Sequence, residues 1–586
     1  MKFLRNLLAA ILGCLIAFGI MFVMFFIFAA LVGSSNDGVN VKSNSILELS
    51  FSEPISDYLG KNADDPFGSF FQEGQGLDEI LHAIGVAQND TKIKGISMTT
   101  NFLQAGFAQT QEIRRALQEF KASGKFVYSY SDFYTQKDYY LASVADQMYL
   151  NPQGAMDFKG LASEVLYYKD LQEKTGVKME VIRHGKYKSA VEPFLSNTMS
   201  DENRSQIKEL ITSIWTSMLE DISESRNIDV PNLNTIADTL GGRMPQYAAM
   251  SGLIDGNFYF DEYEGLLRER LGVDEDTEIN YVSLNDYVMV ANKKTLKSGA
   301  DKIAVIFAQG EILYGEGGKE YLGQGAINRA LKKVRDNDNV KAIVLRVDSP
   351  GGSALVSDII WREIELTKKE KPVVVSFGNV AASGGYYIAA GADKIFAEPT
   401  TITGSIGVFG TIPNIAELAE DIGINAEQVG TNENSVDYSL FEPVTDSFRQ
   451  QILEGIENTY DTFLERVAAG RNMSVDEVNE IAQGRVWSGV DAQNLGLVDE
   501  IGNLDDAIEA AAEMVDLESF GIGKYPKYKS DFERLMEDLG SAKTMFGDAL
   551  LKEELNNEIY QTLKEIKGVT KKKGVQARMP YTLHIK

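Results

Sequence analysis

The chain has 586 residues, too many for one hydrophobic core, so two or more domains are expected. Its formal net charge of −28 argues against nucleic-acid binding, which needs a basic face. A lone cysteine, Cys14, rules out an internal disulfide and a cysteine metal cluster. Three histidines (His82, His184, His584) leave little for a histidine metal site or a Ser-His-Asp triad, so hydrolytic chemistry here needs another base.

In chain order, the first feature is an uncharged apolar run over 7–32, longer than the roughly 20 residues that cross hydrocarbon. Lys2 and Arg5 precede it and Asp37 follows. That asymmetry predicts a single-pass helix with a cytoplasmic N-terminus and the body outside. A cleaved signal peptide has a shorter apolar run, although Ala29-Ala30 resembles a cleavage site. Ile11-Leu12-Gly13-Cys14 loosely resembles a lipidation site, but the apolar run continues well past Cys14.

The body reads as a duplication. Segment 94–152 aligns without gaps on 341–399. Tyr139-Tyr140-Leu141-Ala142 mirrors Tyr386-Tyr387-Ile388-Ala389, and Ala145-Asp146 mirrors Ala392-Asp393. Further on, Gly252-Leu253-Ile254-Asp255 echoes Gly496-Leu497-Val498-Asp499. The expected organisation is a membrane anchor over 1–33, a first domain over 34–295, a second over 300–513 and a charged extension over 514–586.

Each copy reads as α/β. In the second, Val340–Val347, Pro372–Phe377 and Lys394–Ala397 are apolar runs of strand length. Ala354–Lys369 and Ser383–Gly391 read as helices between them. Strand–helix–strand units with apolar strands predict parallel sheets covered by helices. Residues 203–225 and 445–468 read as long amphipathic helices, one per copy. The tail has charged helical stretches near 530–567, then Lys571-Lys572-Lys573. It reads as a solvated extension or as a contact for an oligomer or anionic headgroups.

Features held by only one copy are where chemistry is expected. Ala381-Ala382-Ser383-Gly384-Gly385 joins a strand to a helix, and small residues around a serine let a substrate backbone approach. The first copy has Tyr134-Thr135-Gln136-Lys137-Asp138 there. Ser349-Pro350-Gly351-Gly352 follows a strand, and paired glycines can aim backbone N–H groups at a developing oxyanion. Ser383 standing alone would read as a helix N-cap. The base is absent from this neighbourhood. Lys188, in Gly185-Lys186-Tyr187-Lys188-Ser189-Ala190-Val191-Glu192-Pro193-Phe194, belongs to the first copy only and aligns with Tyr438. A composite site across the two copies follows. Its chemistry needs a neutral amine, and burial can bring a lysine down from about 10.4 toward roughly 7–8. An isolated lysine ordinarily reads as a surface charge. Lys186 and His184 are the rival bases.

These motifs resemble the signal peptide peptidase A family in its long, duplicated form. That family belongs to the Ser–Lys proteases related to the Clp and crotonase folds. The likeness spans nearly the whole chain and rests on Tyr187–Phe194, Ala382–Tyr387, Asp348–Gly352 and Thr403-Gly404-Ser405-Ile406-Gly407. It implies two tandem crotonase/Clp-like domains of ββα units after one transmembrane helix. Ser383 is then the nucleophile, Lys188 the general base and Ser405 the residue that orients the lysine. Gly352 and Gly384 supply the oxyanion hole, with Gly351 a weaker candidate. It implies no metal and no cofactor. It also implies a homotetramer in a bacterial cytoplasmic membrane, with the body on the periplasmic side, cutting hydrophobic remnant signal peptides. A crotonase-like acyl-CoA enzyme and a non-catalytic membrane scaffold are the alternatives.

Overall fold

A computed structural model of the chain describes residues 39–51, 53–60, 74–99, 102–294, 296–432, 434–528 and 576–578, with residues 5, 6, 11–14, 16–21 and 24 near the N-terminus. The expected membrane segment 7–32 lies largely outside the described residues. Those of its residues that are described are helical and expose Leu12, Ile16, Phe18 and Met24. Among the described residues no helix is long and apolar enough to cross a membrane. The charged stretch 530–567 and Lys571–Lys573 also lie outside them.

The two copies repeat one α/β plan. In the first, parallel strands run in the order Gly256–Asn257, Gln147–Met156, Phe126–Tyr134, Ile93–Met98, Ser45–Leu49, Asn280–Ser283. In the second, the order is Val486–Ser488, Ile402–Gly404, Val373–Ala382, Val340–Ser349, Lys302–Gln309, Gly521–Tyr525. Lys394–Ala397 pairs beside Val373–Ala382 and carries Glu500–Ile501. Among the described residues, only the Ile402–Gly404 to Val486–Ser488 pair in this sheet is antiparallel. Gly521–Tyr525, which lies in the segment set apart above as an extension, is an edge strand of this sheet. The central strand Val340–Ser349 is buried along nearly its whole length, which is why it reads as a continuous apolar run.

The residues shared by both copies are structural. Asp146 and Asp393 accept from the N–H groups of Val127 and Val373, both at 2.8 Å. Asp255 and Asp499 accept from Met148 and Ile395, and pair with Arg226 and Arg471. Tyr139 and Tyr386 donate to the carbonyls of Leu253 and Leu497. The long helices Asp201–Arg226 and Asp446–Arg471 have 26 residues each. Ser200 and Thr445 cap them, and Asn227 and Asn472 end them in the left-handed conformation that asparagine tolerates.

A third sheet departs from the parallel expectation. Its order is Tyr321–Gly323, Glu311–Leu313, Gly351–Ser353, Gln576–Arg578, Val408–Asn414, Lys178–His184. Lys178–His184, from the first copy, lies antiparallel to Val408–Asn414 of the second, with His184 opposite Val408. A pairing between strands more than 220 residues apart leaves no periodic mark on either one. The copies are also joined by a buried ion cluster: Arg346 of the second meets Asp57 at 2.6 Å and also Glu112, all three at most 2 % exposed at the side chain.

Candidate active site

Ser383 sits between the strand Val373–Ala382 and the helix Gly384–Ala389. Its φ of 56° and ψ of −116° are costly for a side chain with a Cβ, about 1–3 kcal/mol. Two backbone bonds hold the turn: Ser383 N–H donates to the Gly404 carbonyl, and its own carbonyl accepts from Tyr387, both at 2.8 Å. The side chain makes no cap bond to the helix, so the N-cap reading of this serine fails. Gly385 permits the packing behind it, because a Cβ there would lie 2.6 Å from the Ser349 carbonyl oxygen.

Lys188 reaches this serine because of the mixed sheet. After Lys178–His184 pairs with Val408–Asn414, the chain turns at Gly185 (φ 104°), and Tyr187 N–H donates to Gln483 at 2.8 Å. The backbone of 483–485 presses against the lysine: a Cβ on Gly484 would lie 2.6 Å from Lys188 Cβ. Lys188 is fully buried. Its Nζ lies 3.0 Å from Ser383 Oγ, 3.0 Å from the Ser405 carbonyl oxygen and 3.1 Å from Ser405 Oγ.

That geometry fits a neutral amine, which has two N–H donors and one lone pair. The Ser405 carbonyl can only accept. Ser405 Oγ lies 3.4 Å from the Gly484 carbonyl, to which its hydroxyl donates, so it too accepts from the lysine. The lone pair then faces the Ser383 hydroxyl. Burial pushes the lysine well below its ordinary value of 10.5, and among the described residues no carboxylate opposes the shift. Ala190, Val191 and Phe409 form the adjacent apolar cluster. The rival bases lie elsewhere. Lys186 is exposed and pairs with Glu202 at 3.6 Å, while His184 packs on the ring of Tyr460.

The glycine pair adopts backbone conformations that L side chains rarely take. Gly351 has φ 90° and Gly352 φ 157°, and a Cβ on Gly352 would overlap the Ile312 carbonyl. Gly351 N–H is used by Ser349 Oγ at 3.2 Å, and Gly352 is paired with Ile312 on one side and Ala577 on the other. Gly384, first in its helix, directly follows the serine. Gln576–Arg578 runs antiparallel between Gly351–Ser353 and Val408–Asn414, with Ala577 opposite Gly352 and Gln576 opposite Phe409. An extended chain segment therefore already lies along the loop.

The first copy fills the corresponding place with its own anion. Asp138 accepts from the N–H groups of Phe102 at 2.9 Å and Leu103 at 2.8 Å. Sequence reading identified Ser383, Lys188, Ser405, Gly352 and Gly384, which the fold gathers into one place. It did not identify Gly484, whose value lies in a close approach between distant segments. Among the described residues no group of His, Cys, Asp or Glu is arranged to hold a metal ion.

Comparison with known proteins places both copies in one family. The model of peptidase family S49 matches residues 119–274 and 365–518, once in each copy. Protease 4 of Haemophilus influenzae is 40% identical over 451 residues, covering 75% of this chain and 73% of its own. Protease 4 of Salmonella typhi is 36% identical, covering 90% and 89%. The chloroplastic serine protease SPPA of Arabidopsis thaliana is 34% identical, covering 81% and 70%.

Proposed function

Since the chain belongs to peptidase family S49 and is a serine-type endopeptidase, we propose that Ser383 is its nucleophile and Lys188 its general base. The carrying observation is the 3.0 Å approach of Lys188 Nζ to Ser383 Oγ, with no carboxylate among the described residues bonded to the amine. The amine takes the serine proton as Oγ attacks the scissile carbonyl. Negative charge on the carbonyl oxygen is met by the N–H groups of Gly352 and Gly384. The new ammonium protonates the departing amine, leaving an acyl-serine. Water then attacks with Lys188 again as base, and the acid product leaves. Ser405 holds the lysine by two contacts throughout.

The substrate is an extended peptide. Support comes from Gln576–Arg578, which lies along the Gly351–Ser353 strand in the antiparallel manner of strand addition. Each copy is taken as a crotonase/Clp-like domain, and the apolar run 7–32 as a single-pass anchor with the body on the outer face of a bacterial inner membrane. An anchored enzyme meets membrane-embedded peptides at high effective concentration, which suits hydrophobic remnant signal peptides. A homotetramer is the expected assembly by resemblance.

A fluorophosphonate probe and a chromogenic peptide ester test the chemistry. Ser383→Ala and Lys188→Ala should abolish both signals, while Lys186→Ala should retain most of the wild-type rate. Undiminished hydrolysis by Ser383→Ala would end this reading.

A further inference from the structure

Between Val347 and Ser349 the ladder with the neighbouring strand is irregular. Val347 lies opposite Phe377 and Ser349 opposite Ala381, so Asp348 alone faces Gly378, Asn379 and Val380. Its carboxyl fills the gap: Oδ1 accepts from Val380 N–H at 2.9 Å and Oδ2 from Asn379 Nδ2 at 3.4 Å. Its backbone carbonyl accepts from Gly310 at 2.9 Å. Asp348 lies immediately before Ser349–Gly352, and Val380 lies three residues before Ser383. One side chain thus ties the loop that carries the oxyanion donor to the strand that ends in the nucleophile.

The first copy reaches the same place. Asn379 Oδ1 accepts from Gln109 N–H at 3.1 Å, at the start of the helix Phe107–Ala122. Gly106 makes room, because a Cβ there would overlap the Asn379 amide. Asp57, from the first copy, stands on the other side. A Cβ on Gly378 would lie 2.9 Å from Asp57 Oδ2 and 3.0 Å from Asp348 Cβ. Arg346, on the same strand as Asp348, is shared between Asp57 and Glu112 and gives Asp348 no direct ion pair. Burial first, then the nearby Asp57 charge, pushes the Asp348 carboxyl up to about 7.

The geometry points to Asp348 as a positioning residue of the hydrolysis, setting the register between the oxyanion loop and the Ser383 turn and receiving, through Asn379 and Gln109, a second contribution of the first copy to the site. This rests on Ser383 being the nucleophile. The ionised carboxyl accepts from both partners. The protonated one has a hydrogen that must itself be placed, so the two contacts are best made above its titration.

The test uses the full chain. Asp348→Asn keeps shape but sets an amide donor against Asn379 Nδ2. It should lower kcat about a hundredfold with KM nearly unchanged, since small misplacements of reacting groups carry penalties of that size. Fluorophosphonate labelling of Ser383 should slow in parallel. The acid limb of kcat/KM should lose one of two protonic steps, leaving that of Lys188. Asn379→Ala, which keeps the carboxyl, should give a smaller loss of kcat and keep both steps. Wild-type kcat and an unchanged acid limb in folded Asp348→Asn would overturn the assignment. Equal loss of kcat and of thermal stability, with the limb intact, would overturn it too. If Ser383→Ala also stayed active, the failure would lie with the nucleophile and not with Asp348.

Discussion

Lys188 is a buried amine held by polar contacts to two serines, and both its chemistry and its energetic cost follow from burial. In the unfolded chain it keeps an ordinary lysine value and is charged at neutral pH. Folding therefore releases a proton, so this position opposes folding more as pH falls. Lys188→Met should be inactive yet more stable than wild type, by on the order of 1 kcal/mol in denaturant titrations at pH 7. Lys188→Arg should be inactive too, because a guanidinium stays protonated. Activity of the native enzyme should rise with pH through the ionisations of Asp348 and Lys188 and then level off, as kcat/KM measured across pH will check. Ser405→Ala leaves the Ser405 carbonyl contact and removes the hydroxyl. It should cost about 10- to 100-fold in kcat, with little change in KM.

At the scale of elements, the site depends on glycines that allow close crossings. Gly484 packs against the lysine, and a Cβ there would press within 2.6 Å of Lys188 Cβ at a φ of +82°. Gly484→Ala should displace the lysine and cut kcat about a hundredfold, whereas the same change at Gly455, where a Cβ would meet nothing within 4 Å, should not. Gly352→Ala should lose about 10²–10³ in kcat, because the added methyl drives the loop away from Ile312 and misdirects its N–H. The strand Gln576–Arg578 occupies the edge along which a peptide would add. A chain ending at Tyr528 should therefore show a lower KM for short peptides with kcat nearly unchanged. Equal KM values in steady-state assays would count against that competition.

At the scale of the molecule, the two copies are locked by buried charges. Arg346→Met would leave Asp57 and Glu112 buried without their cation, at about 3–5 kcal/mol, measurable by denaturant unfolding. Glu398 lies in the same interface and pairs with Arg115 at 3.1 Å. Burial raises its carboxyl from 4.5 to about 8 despite that arginine. A raised folded-state value means that its stabilising contribution is complete below pH 4.5 and is lost as pH rises through about 8. Across that window the melting temperature of wild type should fall relative to that of Glu398→Gln in a calorimetric pH series.

The order of elements, the duplication and the candidate reacting groups were legible in the chain itself. Apolar runs such as Val340–Val347 mark buried parallel strands, and helical spacing marks 203–225 and 445–468, because burial acts locally on the residues that undergo it. Setting the copies against each other singled out Ser383 and Lys188, since what one copy lacks cannot be needed for its fold. Tertiary structure alone decided that these two groups meet, through an antiparallel pairing of Lys178–His184 with Val408–Asn414. It also decided that Asp348 and Gly484 hold them, and that an extended strand near the C-terminus lies along the loop. Such contacts join segments hundreds of residues apart, and their energy depends on separations in space that no local pattern of residues records.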